Sequence, residues 1–252
     1  MTARDWDAAT YDRVSGPQVA WARGVLDRLA LKGDETVLDA GCGTGRVTLM
    51  LMERLPRGRV IAVDAAPSMV EQARTTLGDA AVVRQVELTA LDLEEEVDAV
   101  FSNAVFHWVG DHDSLFTRLH AALRAGGRLV AQCGGAGNVE RFLAAAAEVG
   151  AREPFARYLR GWKGPWNFAG ADETCERLSS AGFVGIDVGL EPSPVVPEFT
   201  VDYLRTVCLG HHVDRLPEEL RDRYVSEVAD RCGQPVELDY VRLNIFARRP
   251  SV

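Results

Sequence analysis

"VLDAGCGTGRVT", residues 37–48, places glycines at 41, 43 and 45 directly after an apolar run that carries an acid. Glycine costs roughly 0.5–1 kcal/mol wherever it replaces alanine in a regular element. Three at alternate positions mark a turn whose backbone must come close to something, and a ligand is the usual partner. Residues 36–40 before them read as a strand. Val47, Leu49, Leu51 and Leu55 give residues 45–55 a helical pattern. A strand–turn–helix setting turns a weak glycine pattern into a useful one, the alternative being a tight turn that binds nothing. The spacing is G-x-G-x-G, not the G-x-G-x-x-G of dinucleotide sites, and Asp39 would repel a pyrophosphate. An acid there suits a cationic or hydroxyl-bearing ligand instead.

Outward from this turn the pattern alternates. Residues 59–63, 82–86, 97–102, 128–133, 184–190 and 241–247 read as strands. Between them, "PSMVEQARTTL" opens at Pro67 with a capping box from Ser68 to Glu71. Residues 113–124 carry Leu115, Leu119 and Leu123 on one stripe, stopped by Gly126-Gly127. Strand and helix in this alternation predict an α/β fold, a doubly wound and mostly parallel sheet with helices on both faces.

Three stretches fall outside the alternation: a helical prefix over 1–30 with Trp21, Val25 and Leu29 on one face, the aromatic segment 151–170, and 191–237, where Leu220, Tyr224 and Val228 repeat every fourth residue. They are expected to form a cap over the carboxyl edge of the sheet, where open α/β sheets bind ligands. The chain then reads as one domain over 1–252, with a core of about 31–150, 171–190 and 238–250.

Composition narrows the class. The 252 residues are 47% hydrophobic and 26% charged, with a net charge of −9. Acids and bases are interspersed, so no basic face for nucleic acid is expected. No apolar run reaches the length of a membrane span. The start, "MTARDWDAATYDR", is polar and acidic, unlike a secretory signal. The five cysteines form no CxxC pair, so a reduced, cytoplasmic setting is expected. "CLGHH" offers Cys208, His211 and His212 but no second ligand pair nearby, and no metal site is expected.

Two further acids stand where ligands bind. Asp64 closes the second strand, placed to accept from both hydroxyls of a ribose, with a solvated acid as the alternative. Asp92-Leu93, after the third strand, could offer a polar contact to an adenine amino group and an apolar one to its face.

Together "VLDAGCGTGRVT", "VIAVDAAPSMVEQAR", "ALDL", "VDAVFSNAVFHWV" and "LHAALRAGGRLVAQC" resemble the motif series of class I S-adenosylmethionine-dependent methyltransferases, in order over residues 36–133. "DWDAATYDRVSGPQVAWA", "NAVFHWVGDHDSLF" and "WNFAGADETCERLSSAGF" are similar to the group containing trans-aconitate methyltransferase and juvenile hormone acid methyltransferase. The resemblance implies a seven-stranded sheet whose last strand is antiparallel, with S-adenosyl-L-methionine as cofactor. It implies that Asp39, Gly41, Cys42 and Gly43 meet the methionine end of the cofactor. Asp64 would take the ribose, Ala65 would sit beside the adenine, and Asp92 and Leu93 would flank that ring. Asn103 would bring its backbone carbonyl to the cofactor and Tyr11 would close over it.

For the acceptor, the resemblance implies that Gln18 and Trp108 hold a carboxylate, the alternative for Trp108 being core packing. His107 would serve as base if the acceptor were a phenol. Trp162, Trp166 and Arg160 are candidate pocket walls. The expected reaction is direct methyl transfer to a small molecule, most simply to a carboxylate, by a monomer or homodimer. Methylation of a hydroxyl, amine or carbon of a small natural product is the alternative within the class. A dinucleotide-dependent oxidoreductase or a non-catalytic binding protein stands outside it.

Overall fold

β1 (Thr36–Ala40) is buried on both faces from its second residue on, and so is β4 (Val97–Asn103) until its last. Strands buried on both faces belong to the centre of a parallel sheet. The structure, a computed structural model, describes residues 6–251. Five more strands are β2 (Arg59–Asp64), β3 (Val82–Gln85), β5 (Leu123–Gly134), β6 (Val184–Pro192) and β7 (Val241–Arg248). The order is β3-β2-β1-β4-β5-β7-β6, with β7 antiparallel to both neighbours and the first five strands parallel. The strand order reverses between β1 and β4, so a crevice opens at their carboxyl ends.

Helices α1 (Ala8–Val14), α2 (Gly16–Arg28), α3 (Arg46–Met52), α4 (Pro67–Leu77) and α5 (His112–Ala122) come from the first half of the chain. The second half adds α6 (Glu140–Gly150), α7 (Ala156–Leu159), α8 (Ala171–Ser180), α9 (Thr200–Tyr203), α10 (Gly210–Arg215) and α11 (Glu218–Cys232). One face of the sheet buries Leu38, Ile61 and Val100 with Leu115, Leu119 and Leu178 of α5 and α8. The other buries Val37, Val60 and Phe101 with α2 and α3, through Val25, Leu26 and Leu51. A third apolar cluster lies off the sheet. It joins Phe142 and Val149 of α6 to Tyr203, Leu204, Tyr224 and Val228 of α9, the π-turn that follows it, and α11. α6, grouped with the sheet by sequence, thus packs on α11. α2 bridges the two regions, Trp21 touching the off-sheet cluster while Val25 and Leu29 enter the sheet's own. Residues 1–5 of the prefix lie outside the described residues.

Local expectations are corrected at two places. The N-cap of α4 is Ala66 and not Ser68, because Asp64 Oδ1 accepts from the Ala66 N–H at 2.9 Å and starts the helix at Pro67. Ser68 is thereby released to bind Trp6, accepting from its N–H at 3.3 Å and donating to its carbonyl at 2.9 Å. Gly126-Gly127 do not stop α5, which ends at Ala122. They lie within β5, where the register jumps from Val97↔Leu123 to Ala99↔Arg128 and the strand loops outward.

Candidate active site

The glycine turn is stitched to the end of β2. Val63 carbonyl accepts from the N–H groups of Gly41 and Cys42 at 2.8 and 2.9 Å, and Gly43 N–H donates to Asp64 Oδ2 at 2.9 Å. Gly41, Gly43 and Gly45 all have positive φ, at +92°, +54° and +84°. A Cβ on Gly41 would stand 2.2 Å from a methyl of Val105, so this glycine lets the β4 loop close on the turn. Around Gly43 the space is open.

Above the turn lies a cavity of about 1050 Å³. Gly41, Gly43, Asp64, Ala65, Asn103, Tyr11, Gln18, His107 and Trp108 all line it. These nine expected residues come from β1, β2, β4, the prefix helices and the turn after β4, and the fold brings them to one space. Asp64 sits with both oxygens held by backbone N–H groups, and burial raises its pKa. Burial, with the nearby Asp64 charge, lifts the Tyr11 phenol to about 12.

Four expected residues do not line this cavity directly. Asp39 and Cys42 line a small void of about 50 Å³ that shares Tyr11, Gln18, Gly41, Gly43 and Asn103 with the cavity. Asp39 Oδ2 accepts from Thr48 Oγ1 at 2.7 Å, and burial pushes its pKa up to about 7. Burial also raises the Cys42 thiol. Asp92 and Leu93 do not line the cavity; Glu87, Leu88 and Thr89 do. β3 ends at Gln85, paired with Asp64 across the sheet, so the first acid past its carboxyl end is Glu87. The 3₁₀ turn at 88–90 then leads the chain away before Asp92 is reached.

Gln18 is buried, and its amide Nε2 donates to Tyr203 Oη at 2.9 Å, tying α2 to the off-sheet helices. Tyr203 in turn shares a 2.8 Å hydrogen bond with Tyr240. Gln18 Oε1 and Asn103 Oδ1 are buried acceptors with no partner among the described residues. His107 Nδ1 accepts from Gly134 N–H at 3.2 Å. The neutral ring therefore carries its proton on Nε2, and burial holds its pKa well below the usual value, with Arg242 and His112 adding repulsion. A ring fixed this way offers its Nε2–H as a donor.

Trp108 stands in an aromatic wall with centroids 5.4 Å from Trp6, 5.3 Å from His211 and 6.2 Å from Trp166. Trp162 and Trp166 line the cavity as expected. Arg160 does not: it is exposed and faces Glu153 at 4.0 Å. "CLGHH" forms further cavity wall through Cys208 and His211, and no group of three metal-capable side chains occurs among the described residues. Trp6 and Arg242 line the cavity without having been singled out in the sequence. Trp6 carried a signal, a tryptophan in the polar start of the prefix. Arg242 sits on the alternate face of "VRLNIFAR", which by period alone reads as the solvent side.

Residues 38–131 match the family model for a methyltransferase domain. The trans-aconitate 2-methyltransferase of Variovorax paradoxus is 31% identical over 253 residues, spanning 97% of this chain and 96% of that one. The enzyme of the same name from Azoarcus sp. is 35% identical over 161 residues, 64% of this chain and 58% of that one. Among solved structures, phosphoethanolamine N-methyltransferase 2 of Haemonchus contortus shares the fold, with a TM-score of 0.64 and 19% identity over 96% of this chain and 57% of that one. Fold and relatives together define an S-adenosylmethionine-dependent methyltransferase of class I. Within that class, the chain belongs to the family that contains the trans-aconitate 2-methyltransferases.

Proposed function

We propose that this enzyme methylates a carboxylate oxygen of a small acid in the cytoplasm. The observation that carries the reading is that Gln18, Trp108 and His107 line the same cavity as the glycine turn and Asp64. Its size matches a cofactor and a small acceptor bound together, since ligand sites run from about 300 to 1,000 Å³. The family name of the relatives, trans-aconitate 2-methyltransferase, points to the same chemistry.

The residues present fit S-adenosylmethionine. Two buried amide oxygens, on Gln18 and Asn103, lack donors among the described residues, and an ammonium group would satisfy them. Leaving such acceptors unpaired costs about 1–3 kcal/mol each. Asp64 keeps lone pairs on both oxygens for a ribose diol, and Ala65 with Leu88 supplies apolar surface for a flat base. Gly43 leaves room at the turn, and Tyr11 covers it from α1.

When bound, S-adenosylmethionine would supply an electrophilic methyl carbon to a carboxylate oxygen, with sulfur as the leaving group and no proton for the protein to move. The protein's task is then alignment, and well-oriented intramolecular reactions reach effective molarities of about 10⁵–10⁸ M. Trp108 presents an indole N–H to the reacting carboxylate and its ring face to positive charge. Gln18 offers its second amide N–H beside it, and His107 its Nε2–H. The aromatic wall of Trp6, Trp162 and Trp166 excludes water, which strengthens each of these contacts.

Trp108→Phe tests the reading, because it keeps the packing and deletes the donor. Turnover of acids is expected to fall roughly tenfold to a hundredfold, the value of a hydrogen bond to a charged group, with S-adenosylhomocysteine affinity unchanged by calorimetry. Undiminished ester formation would remove the N–H from the mechanism.

A further inference from the structure

Gln18 is 6% exposed, and its amide has two ends of opposite character. Nε2 donates to Tyr203 Oη at 2.9 Å, while Oε1 has no hydrogen-bond partner among the described residues. Asn103 repeats the pattern. Its Nδ2 donates to the Gln18 carbonyl at 3.0 Å, and its Oδ1 is left without a partner among the same residues. Gln18 and Asn103 both line the cavity, and with Gly41 and Gly43 they also line the small void beside Asp39 and Cys42. Both amides therefore border the glycine turn with nitrogen tied to protein and oxygen free.

A glutamine amide turned over about its last side-chain bond would present N–H groups where Oε1 stands. Tyr203 decides between the two. It is 1% exposed, and its Oη has two hydrogen-bond neighbours, Gln18 and, at 2.8 Å, Tyr240. Burial raises both phenols, so each keeps its proton. Accepting from Gln18, Tyr203 donates its own proton to Tyr240. The Tyr240 proton is then left for Cys208 Sγ at 3.7 Å or for the cavity, which both residues line. Turning the Gln18 amide over would require the proton at every step of this chain to reverse. Hydrogen bonds that run in one direction in a buried network strengthen one another, so the chain resists that reversal. Without the Tyr203 hydroxyl nothing resists it.

Resting on the reading that places the methionine end of the cofactor at the glycine turn, we infer that Tyr203 is a positioning residue, holding the Gln18 amide with Oε1 toward the cofactor's ammonium group. Tyr203 does not line the cavity, so it acts only through Gln18. It is the last residue of α9. The off-sheet helices thereby shape a cofactor contact that they do not themselves make.

Calorimetry on the full chain compares S-adenosylhomocysteine with its deamino analogue, in which hydrogen replaces the amino group. The wild type is expected to bind S-adenosylhomocysteine roughly tenfold more tightly than the analogue, the value of a hydrogen bond to a charged group. Tyr203→Phe keeps the ring and deletes the hydroxyl. It is expected to weaken S-adenosylhomocysteine roughly tenfold and to leave the analogue unchanged. Gln18→Ala is expected to show the same selective loss, and adding Tyr203→Phe to it is expected to cost nothing more, since the two residues act as one unit. Equal losses for both ligands, or a further loss in the double variant, would make Tyr203 merely structural and overturn the inference. Unchanged binding of both ligands by Tyr203→Phe would overturn it as well. A wild type without preference would instead remove the ammonium from Gln18, and with it the reading on which the inference rests. Should Tyr203→Phe fail to fold, Tyr240→Phe carries the test, because it removes the acceptor of the Tyr203 proton and turns that proton back on Gln18. The same selective loss is expected, again absent once Gln18 is alanine, and a loss that persists there or is not selective would overturn the inference.

Discussion

Asp39 is buried beneath the glycine turn, with its pKa near 7 and Thr48 as its hydrogen-bond partner. An unfolded chain releases this proton near pH 4, while the folded protein keeps it to about pH 7. Stability therefore falls as pH rises through that window and levels off above it, since the unfolded state binds fewer protons there. Each unit of difference is worth about 1.4 kcal/mol. Asp39→Asn keeps an acceptor for Thr48 and cannot ionise. Its melting temperature is expected to gain on the wild type steadily between pH 4 and pH 7. Parallel melting curves for the two proteins across that range would mean that Asp39 is not held protonated. The position of Asp39 was legible from the motif, but its burial was not. One-dimensional spacing puts an acid near a turn without saying that the turn covers it.

At the scale of elements, the end of β3 decides where the adenine end of the cofactor would meet the protein. A four-residue strand in register with β2 brings Glu87, Leu88 and Thr89 to the cavity wall and leaves Asp92 behind. Glu87→Ala is expected to weaken S-adenosylhomocysteine binding roughly tenfold, the loss of one hydrogen bond to a charged group, whereas Asp92→Ala is expected to leave it unchanged. The reverse ranking would restore the acid read from sequence. That difference has a physical source. "QVELTALDL" holds two acid-leucine pairs five residues apart, and only the strand's pairing register tells which one sits at its end. The alternation of strands and helices was legible because continuous apolar runs and amphipathic stripes carry it. Arg242 was not, because α2 covers a strand face that its own periodicity assigns to solvent. The Ser68 cap failed for a similar reason: Asp64, distant from the helix pattern, captured the helix N-terminus first.

Across the whole molecule, the cavity lies between the carboxyl edge of the sheet and the off-sheet cluster, and the prefix is tied to both. Thr44 Oγ1 donates to Asp12 Oδ1 at 3.1 Å and Arg46 to the Asp12 carbonyl at 2.8 Å, joining α1 to the glycine turn. Arg13 reaches Asp202 of α9 at 2.9 Å, a solvent-exposed pair. α1 has only 7 residues, too few for an isolated helix to be stable, so these contacts and Tyr11 hold it. Hydrogen exchange over residues 8–14 is expected to slow when S-adenosylhomocysteine is added. Equal exchange with and without the ligand would mean that α1 is docked permanently and does not act as a lid. The chemistry itself is read most directly from its product. The enzyme is incubated with S-adenosylmethionine carrying an isotopic label in its methyl group and a library of small acids, and the products are followed by mass spectrometry. Carboxylate methylation requires the label to appear in a methyl ester that mild base hydrolyses back to the parent acid. Label retained after that hydrolysis, in an ether, amine or carbon-methyl product, would contradict it.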